Sequence, residues 1–72
     1  MRYCNPMDKL ATIGERIKTI RERRNMTQSD LSDRSGVDAA SLSRYENDHK
    51  KPTVETLLRI AQALDVGIEA IV

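Results

Sequence analysis

No phenylalanine or tryptophan occurs in the 72 residues, and Tyr3 and Tyr45 are the only aromatic side chains. Any core must then be built from Leu, Ile, Val, Ala and Met, which in so short a chain favours packed helices. A single cysteine, Cys4, excludes an internal disulfide, and with one histidine, His49, the chain falls short of a structural zinc set. Three glycines leave no Gly-rich phosphate loop, and the sequence offers no metal-ligand cluster. His49 has serines nearby only as chance would place them. We therefore expect no enzyme, no cofactor and no small-molecule ligand. Apolar runs reach three residues at most, too short for a membrane span or a secretion leader, so no membrane partner and a cytoplasmic location are expected.

The length allows one domain, near the lower size at which a chain folds without disulfides, metal or a partner subunit. The formal net charge is only +1, but the charge is segregated. From Arg16 to Arg24 five Lys or Arg face one Glu, whereas from Pro52 to Val72 only Arg59 opposes Glu55, Asp65 and Glu69. A solvated helix face and a binding patch both fit this distribution.

Residues 1–7 contain Pro6 and no periodic pattern, and read as a flexible arm. Residues 8–72 read as the single domain. Leu10, Ile13, Ile17 and Ile20 recur at helical steps, predicting a first helix from about Asp8 to Arg24. Arg21 lies on that apolar stripe, within roughly 40° of Ile17 at about 100° per residue. A charge placed there needs an acid partner from elsewhere in the fold.

Thr27 and Asp30 match a capping box and open a second helix. Gly36 suits the left-handed residue that ends it, and Asp38 suits the N-cap of a third. Pro52 and Thr53 then start a fourth helix with Val54, Leu57, Leu58, Ala61 and Leu64 as its buried stripe. A short segment from Gly67 to Val72 makes five helices and no strand. Small residues at Ser32 and Gly36 fit two helices crossing through a tight turn.

Winding the third helix puts Leu42 and Tyr45 inward and Ala39, Ala40, Ser43, Arg44 and Asn47 outward. That outer face is short-chained and polar. It lets a helix axis approach base edges in a major groove, where an arginine can contact guanine O6 and N7. Taken alone, the same face also fits plain surface filler. Glu46 falls at the inward edge and is the natural acid partner of Arg21.

Together these residues resemble the Xre/Cro family of phage-repressor-like helix-turn-helix DNA-binding domains. The resemblance covers Ile13 to Ile71 through Arg21, Thr27-Gln28, Leu31, Gly36-Val37, Leu42-Ser43-Arg44-Tyr45-Glu46-Asn47, Pro52, Leu57-Leu58-Arg59-Ile60-Ala61 and Leu64-Asp65-Val66. It implies an all-α, five-helix lambda-repressor-like fold. It also implies that Gln28 touches the DNA backbone or a base, that Asn47, Lys50 and Lys51 meet phosphates, and that Ala39, Ala40, Ser43 and Arg44 face the bases. Among these, Gln28 is assigned to a phosphate. Arg21 with Glu46 corresponds to the family's scaffold salt bridge. Asp48 stands where the family often has Gly, and Ala39 and Ala40 lack the amides many relatives use, which leaves Arg44 as the main reader.

The function implied is a sequence-specific transcriptional regulator that inserts residues 38–47 into the major groove of double-stranded DNA. An antitoxin-like module that uses the same fold to grip a protein is the alternative. Few phosphate contacts per monomer point to a homodimer on a near-palindromic operator. Ile68, Ile71 and Val72 form the expected isologous interface, although Ile68 equally suits the monomer core.

Overall fold

The computed structural model describes residues 12–72, and the expected arm at residues 1–7 lies outside them. Four α-helices follow in order: α1 Ile13–Arg23, α2 Gln28–Ser35, α3 Ala39–Glu46 and α4 Val54–Ala63. A single 3₁₀ turn, Ile68–Ala70, stands where a fifth helix was expected. No strand occurs among the described residues.

Each helix starts on a side-chain cap. Thr12, Thr27, Asp38 and Thr53 accept from the backbone N–H three residues on, at 3.1, 3.0, 3.0 and 3.2 Å. Glu15 and Asp30 return the bond to the cap residues Thr12 and Thr27, closing two capping boxes. Because Thr12 is extended and caps Ile13, the described part of α1 begins there; the expected start at Asp8 lies outside the described residues.

The helix ends are equally local. Asn25, Asp48 and Asp65 adopt left-handed φ values of 56°, 60° and 59°. In each case the next amide reaches back five residues, Met26 to Arg21, His49 to Arg44 and Val66 to Ala61, which completes a Schellman motif. Asp65 so ends α4 that the remaining residues close only i+3 and i+4 bonds onto Gly67 and Ile68, one turn in place of a helix.

Ile17, Leu31, Leu42, Ile60, Leu64 and Ile71 are fully buried, with Ile20, Met26, Tyr45, Leu57 and Ala61 around them. α3 packs on α1 and α2, α2 on α4, and α4 on the 3₁₀ turn. Two expectations need correction. The stripe of α4 is Leu57, Ile60, Ala61 and Leu64, while Val54 and Leu58 are 68% and 44% exposed. Leu58 lies about 100° around the helix from Leu57 and so leaves the buried sector, and Val54 sits in the first turn, at its margin. Ile71, expected at a dimer interface, is fully enclosed in the monomer core, because the 3₁₀ turn folds it back onto the other core side chains.

Candidate nucleic-acid interface

The turn between α2 and α3 depends on Gly36, whose φ of 77° suits glycine. Nothing lies within 4 Å of a Cβ placed there. Its need is therefore conformational, while the glycine that a close approach of helices requires is Gly14. A Cβ on Gly14 would collide with the Tyr45 carbonyl oxygen and lie 2.8 Å from Asp48 Oδ1 and 3.0 Å from the Glu46 carbonyl oxygen. The start of α1 thus touches the end of α3. Thr12 Oγ1 adds a bond to Asp48 Oδ2 at 2.8 Å. A glycine inside a helical pattern was the available signal for this contact, and the sequence reading did not single it out.

α3 is further fixed by its acid. Arg21 Nε and Nη2 donate to Glu46 Oε2 and Oε1 at 2.7 and 3.0 Å, and Nη1 donates to the Met26 carbonyl at 2.8 Å. Both side chains are nearly inaccessible, 10% and 2% exposed. The hydrogen bonds that Arg21 donates to Glu46 hold its pKa above the ordinary value, against the opposing effect of burial. Gln28 Nε2 donates to the same Glu46 Oε1 at 3.1 Å.

Held in this way, α3 turns Leu42, Tyr45 and Glu46 inward and leaves Ala39, Ala40, Arg44 and Asn47 exposed, with Ser43 half-buried. The Arg44 side chain has no hydrogen-bond or ion-pair partner among the described residues, so its guanidinium is available to a ligand. Asn47 caps the helix and its Nδ2 donates to the Ser43 carbonyl at 2.9 Å. Lys50 and Lys51 are exposed and line a groove with Gly14, Tyr45 and Asp48. The N-cap of α3 is Asp38, whose carboxyl is held below the usual range by the hydroxyl and then the backbone N–H of Ser41.

At the opposite end of the chain, Val72 is 51% exposed and Ile68 half-buried against the core. Arg16 Nη1 donates to the Val72 carbonyl at 2.6 Å and ties this end to α1. The structure therefore gathers Arg21, Gln28 and Glu46 into one network and Ala39, Ala40, Ser43, Arg44 and Asn47 onto one face. It does not gather Ile68, Ile71 and Val72 into an exposed patch.

A helix-turn-helix family profile matches residues 17–71. The immunity repressor of Bacillus phage phi105 is 38% identical over 61 residues, which are 85% of this chain and 42% of that protein. The cryptic phage CTXphi transcriptional repressor RstR of Vibrio cholerae is 37% identical over 57 residues, 79% of this chain and 51% of RstR. The chain thus spans about half the length of these relatives. Among solved structures, SinR of Bacillus subtilis in complex with DNA superposes with a TM-score of 0.80 at 30% identity, covering 83% of this chain and 97% of that one.

Proposed function

The chain belongs to the helix-turn-helix family of the Xre, lambda-repressor-like type, and we propose that it is a sequence-specific transcriptional regulator of double-stranded DNA. The observation that carries this reading is the exposed, short-chained face of α3, clamped through Glu46 while Arg44 stays unengaged. Small side chains at Ala39 and Ala40 let the helix enter the major groove, and Arg44 reads a guanine. Ser43 faces the bases beside it. Asn47, Lys50 and Lys51 meet phosphates along the rim. The reading involves no catalytic step and no cofactor, and it places the regulator in the cytoplasm.

Two subunits bind a near-palindromic site with their α3 helices roughly 34 Å apart. Ile71 takes no part in that dimer, since it is enclosed in the core; Val72 with the edge of Ile68 contributes instead. Val54 and Leu58 offer a second apolar strip one helical turn long. Sedimentation of Val72→Ser and Leu58→Ser variants identifies the strip in use, and a monomer at high concentration in the unsubstituted protein contradicts the dimer.

Affinity for duplex DNA across a salt series tests the reading. Lys50 and Lys51 from two subunits predict a log–log slope of about −4. Tight capture of a protein together with salt-insensitive or absent DNA binding would favour the antitoxin-like reading.

A further inference from the structure

The Glu46 carboxylate gathers bonds from two other helices, from Arg21 on α1 and from Gln28, the first residue of α2. An ionised carboxylate only accepts, so the edge of the Gln28 amide that faces it must be the NH₂ group. That group carries two hydrogens, and one is directed at Glu46 Oε1, which lies 3.1 Å from Nε2. The other points away from it, from a side chain that is half-buried at the start of α2. Asn47, the neighbour of Glu46 in the chain, is exposed.

We infer that Glu46 is a positioning residue for Gln28, holding its amide so that the second N–H meets a DNA phosphate. The inference rests on the DNA-binding reading. Its physical content is that the rotamer freedom of Gln28 is lost on folding and no longer opposes binding. Arg21 supplies the other half of the arrangement. A bare carboxylate next to a phosphate would repel it, and the guanidinium bonded to both Glu46 oxygens cancels that charge. The Arg21 and Glu46 pair therefore serves the interface as well as the scaffold.

The first test needs no DNA. In the free protein, side-chain ¹⁵N relaxation should show a rigid Gln28 amide with two well-separated proton shifts, and Glu46→Asp, which retracts the carboxylate by one methylene, should set it moving. A mobile Gln28 amide in the unsubstituted protein overturns the inference, and this readout stands even if Glu46→Asp proves too unstable to study. In the second test, Gln28→Ala should lower affinity about tenfold for every duplex alike, and only about twofold in the Glu46→Asp background. An equal loss in both backgrounds overturns the positioning role, and a loss confined to one base position overturns the phosphate. If the unsubstituted protein binds no duplex, the DNA-binding reading fails, while a rigid amide in the free protein still upholds the grip of Glu46 on Gln28.

Discussion

Replacing Arg21 by alanine removes the three hydrogen bonds of its guanidinium at once, two to Glu46 and one to the Met26 carbonyl. What remains is a carboxylate with 2% of its side chain exposed and a single neutral donor, Gln28. Leaving one partner of a buried pair uncompensated costs roughly 3 to 5 kcal/mol. A 72-residue chain has a total stability of about 4 to 11 kcal/mol by the usual per-residue range, so the variant is brought close to unfolding. At about 4 to 8 °C per kcal/mol for a domain of this size, the melting temperature should fall by at least about 12 °C. Circular dichroism during thermal and urea unfolding measures it. The double variant Arg21→Met with Glu46→Leu separates the pair's net contribution from the penalty of an orphaned charge. It should regain most of the lost stability, because similar apolar volume replaces both ions. A melting temperature within about 2 °C of the parent in Arg21→Ala would refute the reasoning.

Gly14→Ala should cost about 1 to 3 kcal/mol by forcing the end of α3 away from α1, seen as a lower urea midpoint; an unchanged midpoint would show that this contact yields freely. Ile71→Ala should cost about 2 to 5 kcal/mol through the cavity it leaves, and unchanged stability with weakened self-association would return Ile71 to a subunit interface. Asp30 and Asp38 both titrate below the ordinary carboxylate range, Asp30 chiefly through the Thr27 backbone N–H and Asp38 through the Ser41 hydroxyl. Their caps are thus fully effective above the unfolded pKa of about 3.9 and are lost as pH falls through the lower folded values. Melting temperature should drop on acidification below about pH 4, and Asp38→Asn should flatten that dependence.

The parts of this fold that are legible in the sequence are those fixed by nearby atoms. Thr27 with Asp30, Gly36 and Asp38 mark helix ends because the bonds they make span four residues or fewer. Arg21 on an apolar stripe announces a buried charge, and the α3 periodicity brings Glu46 to the inward edge. Thr12 and Glu15 have capping-box spacing and mark the start of α1 at Ile13, a local signal that the apolar stripe running on to Leu10 obscures in the sequence. Whether Ile71, Val54 or Leu58 meets its own chain or water depends on how α4 and the 3₁₀ turn pack, which periodicity within one element does not encode. The contact of Gly14 with Tyr45 and the bond from Gln28 to Glu46 join residues 31 and 18 apart and are fixed only when the helices cross. The outward face of α3 follows from winding alone; the assignment of its residues to bases and phosphates follows from the family resemblance together with the chemistry of their side chains.

Selection of bound sequences from a random duplex pool, run in parallel on the unsubstituted protein and Arg44→Ala, tests the DNA-reading face of α3 most directly. The unsubstituted protein should enrich a near-palindrome with a guanine in each half-site, and Arg44→Ala should relax the preference there by about 1 to 3 kcal/mol while leaving other positions unchanged. The same enriched sequence with undiminished guanine preference in both proteins would contradict the account.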